Sequence, residues 1–251
     1  MRRSLLVAAA CTLVSVQVAF AADMPTKAPI VPVFNWAGFY VGLHLGGGWV
    51  KTSGTLVDAT PPLAQPIGFT DSGTGGGALG GGQFGYNWQT NAWVFGIEGD
   101  FSGARIDSSR TSPSTTGNYP AGSTVTGTAR ANWLATVTAR AGYAASDRSL
   151  IYAKGGAAFM NADYGGSAFV PTGILAGTYP VNSVNATRTG WTVGIGFEQV
   201  LMAKWSWKIE YDYLNFGTKR YSFFSPTVGG TSIIDLFSDT HVFKLGVNYH
   251  L

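Results

Sequence analysis

The chain has 251 residues, a formal net charge of +3 and a pI near 9, yet only 12% of its residues are charged, 14% are aromatic and 35 are glycine. That is a poorly charged surface for a water-soluble secreted domain. No block of basic residues offers a nucleic-acid patch, so the basic pI carries no such message.

In chain order, Arg2 and Arg3 precede an apolar run from Leu5 to Val14, and Ala19-Phe20-Ala21 supplies small residues for a signal peptidase. Residues 1–21 are therefore expected to be a cleaved signal peptide. A retained anchor is disfavoured because the run is short for a span of about 20 residues. Lipidation at Cys11 is disfavoured because it would leave an apolar tail on the product. Removal leaves 251 − 21 = 230 residues, no thiol, and 14 basic against 13 acidic residues. Residues 22–35 read as a Pro-rich periplasmic leader, extended or mobile, and 36–251 as the folded domain. No later stretch approaches 18 consecutive apolar residues, so no transmembrane helix is predicted.

Eight runs then alternate apolar and polar with period two, the pattern of a strand with one apolar face. They begin at Phe39, Gln83, Trp93, Trp133, Ile151, Trp191, Trp205 and Phe243, and the last runs to the chain end as Phe243, Leu245, Val247, Tyr249 and Leu251. Short links fall near 89–92, 144–148 and 201–204. Long links rich in Gly, Ser, Thr and Pro fall near 51–78, 103–127, 161–187 and 218–240, and long and short alternate strictly. This is the asymmetry of an outer-membrane barrel, with short periplasmic turns and longer extracellular loops. The predicted fold is all-β: an eight-stranded antiparallel up-and-down transmembrane β-barrel.

A soluble eight-stranded barrel would alternate too, so the content of each face decides. The apolar face carries no charge through the middle of any run, where a Lys or Arg in mid-bilayer would cost about 2–4 kcal/mol. Its short-turn ends carry Phe39, Trp88, Trp93, Tyr143, Phe197, Trp205 and Tyr249, an aromatic girdle at headgroup level. The polar face is rich in glycine, which suits a narrow interior better than a water-exposed sheet. An exposed edge is forbidden in lipid, so the last strand must pair with the first.

Read inward, the polar face brings Arg130, Arg140, Lys154, Lys208 and Lys244 against Glu98, Asp100, Glu198, Glu210 and Asp212. Five charges of each sign in a narrow lumen predict mutual pairing into a plug; a small selective pore is the competing reading. Gly80 to Gly85 satisfies G-x-G-x-x-G but leads into a strand, so no dinucleotide site follows. His44, His241 and His250 lack metal-ligand spacing, and no serine is placed beside His241 for a lipid-cleaving enzyme. No catalytic residue, metal or cofactor is expected. The sequon Asn185-Ala186-Thr187 means little in a bacterial-type envelope.

The assembled pattern resembles the small outer-membrane surface-antigen barrels of alphaproteobacteria, a porin-like family. The resemblance is carried by Ala22-Asp23-Met24-Pro25, Asn35 to Gly42 (NWAGFYVG), Gly82 to Trp88 (GQFGYNW), Gly96 to Asp100 (GIEGD), Tyr152 to Gly156 (YAKGG), Trp191 to Gly194 (WTVG) and Lys244 to Tyr249 (KLGVNY). It implies an eight-stranded barrel with structural, surface-exposed roles; some relatives are credited with haem binding or solute passage. It also implies that Phe243, Leu245, Val247, Tyr249 and Leu251 form an assembly signal read by the insertion machinery. That signal ends in an aromatic in the family and in Leu251 here. The expected partners are outer-membrane lipid, lipopolysaccharide and that machinery, around a monomer, in the bacterial outer membrane.

Overall fold

A computed structural model describes residues 34–60, 65–114, 120–174, 176–226 and 230–251. The expected signal peptide and all of the leader before Phe34 lie outside the described residues. Eight strands follow in order: β1 Gly38–Ala59, β2 Thr70–Thr90, β3 Trp93–Pro113, β4 Thr124–Ser146, β5 Ser149–Val170, β6 Gly177–Met202, β7 Trp205–Ser225 and β8 Gly230–His250. Each pairs antiparallel with its neighbours, and β8 pairs with β1 from Tyr40↔His250 to Ala59↔Ser232, closing the ring. The terminal alternation is thus spent on closure: Leu251 N–H reaches Phe39 O at 2.9 Å beyond the last ladder pair.

The three short links are two-residue turns at 91–92, 147–148 and 203–204. Asn91 (φ 54°) and Ala203 (φ 40°) take the left-handed conformation that matches a tight hairpin to strand twist. Asparagine tolerates it well; alanine does so at a cost.

The long links differ from expectation, because most of their length is strand. Strands run 21 to 26 residues, about twice the 9–11 needed to cross a bilayer. Only 60–69, 114–123, 171–176 and 226–229 connect them at that end. The cause is visible on the outward face of β1. Phe39, Val41, Leu43, Leu45 and Trp49 are exposed apolar residues, and Lys51 follows. The ten residue steps from Phe39 to Trp49, at about 3.3 Å each and tilted roughly 40°, give an apolar band about 25 Å tall. Above it the outward face turns polar while the inner face mixes small, polar and apolar residues, so the lipid-imposed period-two signal fades while the backbone ladder continues.

The lumen as candidate functional site

Inside the band, a row across three strands recurs twice. Tyr40 on β1 stands opposite Gly85 on β2, which stands opposite Glu98 on β3; Tyr152, Gly196 and Glu210 repeat this on β5, β6 and β7. Each tyrosine lies over its glycine, where a Cβ would collide with the ring, and donates to its glutamate, Tyr40 to Glu98 at 2.8 Å and Tyr152 to Glu210 at 2.7 Å. The sequence carries the same repeat: WVFGIEGDF from Trp93 and WSWKIEYDY from Trp205 share Trp, Ile, Glu and Asp at matching positions, 205 − 93 = 112 residues apart.

Around these rows the charges interlock. Lys154 Nζ lies 3.2 Å from Glu98, 2.5 Å from Glu210 and 3.4 Å from Asp212. Lys208 reaches Glu98 and Glu210 at 3.4 and 3.2 Å, and Lys244 reaches Asp100 and Asp212 at 3.1 Å each. Arg140 lies over the Tyr40 and Tyr152 rings, 4.4 and 5.2 Å from their centroids, with Glu98 and Glu198 at 3.7 and 3.6 Å. Glu198 accepts from Ser206 and Asn248 at 2.5 and 2.8 Å and lies 3.2 Å from His250. His44 joins through Gln83, Ser102 and Asp100. Every one of these charged side chains is buried, and each carboxylate has a cation within 4 Å, although Glu198 Oε2 and both Asp212 oxygens rest on ion pairs alone, with no hydrogen bond.

One expected member is elsewhere. Arg130 points outward, its side chain 48% exposed, and pairs with Asp107 at 3.5 Å. A bulge at Asn132 places one extra residue in β4 between Ala131 and Trp133, and one extra residue reverses the inward–outward alternation between its two sides, so positions before it, Arg130 among them, have the opposite facing to that counted back from Trp133. In Arg130's place, simple alternation would have found Arg188, which is buried on the inner face of β6. It donates to Phe216 O at 3.2 Å, Gly217 O at 2.6 Å and Leu236 O at 2.9 Å. It takes up carbonyls at a register shift in β7 between Asn215 and Thr218. The period-112 repeat was the available signal for Tyr40 and Tyr152; nothing local in the sequence marks the Asn132 bulge.

The ionic layer lies between two apolar ones. At the turn end, Trp36 is fully buried with Val94, Leu150, Tyr152 and Val200, and Phe34 packs on it. Trp36 N–H donates to Gln89 and its carbonyl accepts from Asn87, so Phe34 and Asn35, expected in a loose leader, belong to the folded domain. On the far side, Val50, Ile106, Leu134, Met160, Leu214 and Val242 fill the cross-section. Beyond them the outer rim carries ion pairs, Arg110 with Asp71 at 3.1 Å and Arg220 with Asp235 at 2.7 Å. Burial pushes the Asp71 carboxyl up, but hydrogen bonds from Ser112, the Ser72 N–H and Arg110 outweigh it and hold the group below its usual value. The Arg220 hydrogen bond does the same for Asp235.

On the outside, Phe39, Trp88, Trp93, Tyr143, Phe197, Trp205 and Tyr249 all point outward at the turn end. Trp93 meets Tyr143 and Trp205 meets Tyr249 edge to face at 5.5 and 5.0 Å, another matched pair of the repeat. Phe243, Leu245 and Val247 are exposed along β8 between β7 and β1, and Leu251 projects past it.

Comparison with known proteins agrees with this architecture. The chain is 34% identical over 231 residues to the 31 kDa outer-membrane immunogenic protein of Brucella melitensis, covering 90% of this chain and 87% of that one. It is 26% identical to the 25 kDa outer-membrane immunogenic protein of the same organism, covering 98% and 97%. The outer membrane protease OmpT of Escherichia coli superposes with a TM-score of 0.50 at 8% identity, covering 85% of this chain and 96% of that one, a likeness of fold alone. Residues 6–250 match the family model of the outer membrane protein beta-barrel domain; the chain belongs to that family and is an outer-membrane β-barrel protein akin to alphaproteobacterial surface antigens.

Proposed function

We propose that this barrel serves as a structural, surface-presenting component of the outer membrane, contributing to envelope integrity rather than passing solutes. The observation that carries the reading is the filled lumen: an ionic layer with each charged side chain at most 8% exposed, bounded by apolar layers at both ends. An ion crossing it would have to break several buried pairs, each costing several kcal/mol to separate. The outward band fits lipid, the polar extension above it fits the lipopolysaccharide headgroup region, and the closing strand fits recognition by the insertion machinery. The reading takes the protein as a monomer whose outer connections carry what recognition there is.

The test is conductance of the protein, purified from outer membranes, in a planar lipid bilayer. Electrically silent membranes holding demonstrably folded protein are expected. Reproducible, ion-selective steps would overturn the plug and favour the channel reading.

A further inference from the structure

Above the apolar layer the barrel holds a partly open cavity of about 280 Å³. Its wall is mainly apolar, with Leu56, Val125, Val181, Phe223, Ile234 and Leu236 facing in. Tyr164, which also lines it, is stacked on Tyr221 at 5.3 Å. The charges in the lining, Asp71 and Arg110, neutralise each other as a pair. An apolar cavity of about 150 Å³ takes up benzene rather than water, and this one is nearly twice that size.

The wall beside it is incomplete. The β6–β7 ladder runs from Met202↔Trp205 up to Trp191↔Asn215 and stops, whereas β5–β6 continues to Val170↔Gly177 and β7–β8 to Ser225↔Gly230. The shift in β7 between Asn215 and Thr218, with Gly217 at φ 61°, marks the parting. Residues 177–190 and 216–225 then face each other without strand pairing at the height of the cavity, to which β6 contributes Tyr179 and Val181 and β7 contributes Phe223 and Ser225. Among the described residues, isolated bonds bridge this seam: Phe224 N–H to Asn182 at 2.7 Å, Ser225 to Pro180 O at 3.3 Å, and Arg188 at the foot. Below it stand Trp191 and Tyr213, in contact at 5.5 Å, at the upper edge of the apolar band. Unpaired backbone is intolerable in hydrocarbon but acceptable among headgroups, where Asn185 and Thr187 on β6 also belong.

We infer that the outer cavity is a binding site for small, neutral, largely apolar molecules about the size of a fused bicyclic aromatic, reached sideways from the outer leaflet through the β6–β7 seam. Such molecules concentrate in lipid, so the seam opens toward their source. The apolar and ionic layers beneath make the site a dead end, so occupancy does not imply passage. Silence in the conductance test therefore leaves this inference untouched.

The probe is 2-naphthol, followed by its fluorescence with protein extracted from outer membranes and held in phospholipid vesicles. Saturable binding at one site per barrel is expected. A Cβ on Gly127, which lines the cavity, meets nothing within 4 Å, so Gly127→Phe should fold, fill the space and weaken binding at least tenfold. Ala168→Phe, at another lining position, provides a second filling variant. Joining Asn182→Cys to Phe224→Cys with a short thiol cross-linker should slow exchange of lipid-dissolved probe at least tenfold while leaving affinity unchanged. Uptake no different from protein-free vesicles, or wild-type affinity in both filling variants, would overturn the site. Equal exchange rates with the seam joined and free would overturn the lateral route.

Discussion

Gly85 and Gly196 show how a narrow barrel uses glycine. The tyrosine rings lie across them because no side chain stands there, and each ring then reaches its glutamate. Gly196→Ala must push Tyr152 off its place, and that ring is held by Glu210 and by Arg140 above it. We expect a loss of about 1–3 kcal/mol in urea-induced unfolding. Gly127→Ala, with open space around its Cβ, should be neutral or slightly stabilising, since it removes only unfolded-state freedom. Inward-facing glycine is plain in the sequence, but what occupies the space above each one is not, because the tyrosine comes from a strand some 45 residues away in the chain.

For the strands, the runs that begin at Phe39 and Trp205 were legible because lipid demands an apolar side chain at every second position. The same rule fails above the band, where water touches the outside, and the upper halves of β1 to β8 therefore read as loops. It fails again at Asn132, since a bulge obeys backbone hydrogen bonding and leaves no periodic trace; Arg130 was misplaced for that reason. Strand β8 is the element whose role the sequence made clearest, as the partner of β1. If its outward row also serves as the insertion signal, Leu251→Phe should assemble at least as well as the parent, and deletion of 243–251 should abolish insertion. Outer-membrane fractionation with heat-modifiability of the folded barrel measures both. Normal assembly of the truncated chain would rule out both the closure requirement and the signal.

At the scale of the whole molecule, the lumen has two independent barriers, one ionic and one apolar. Glu210→Gln separates them. It leaves Lys154, Lys208 and Lys244 facing one carboxylate fewer, and breaking a buried pair from one side costs about 3–5 kcal/mol. The variant should unfold at distinctly lower urea yet remain electrically silent, because Ile106, Met160, Leu214 and Val242 still close the section above. A leak in Glu210→Gln would mean that the charges alone hold the seal. Most of the ionic layer could be anticipated from charged residues on the inner face of transmembrane runs. The apolar layer could not, since its members lie where inner and outer faces no longer differ in polarity.

The doubled Tyr–Gly–Glu row has a genealogical reading. A sheet of four strands has two open edges, and two such sheets set head to tail join edge to edge into a sealed ring, as β1–β4 and β5–β8 do. One ancestral gene for a four-strand unit, copied and fused, would write Trp-x-aromatic-x-Ile-Glu-x-Asp twice, as residues 93–101 and 205–213 do. The two halves are alike rather than identical. Across one strand pair of each half a long cation faces a glycine: Arg140 stands opposite Gly96 in the first half, and in the second Lys208 stands opposite Gly246. The long side chain comes from the fourth strand of one copy and the third strand of the other.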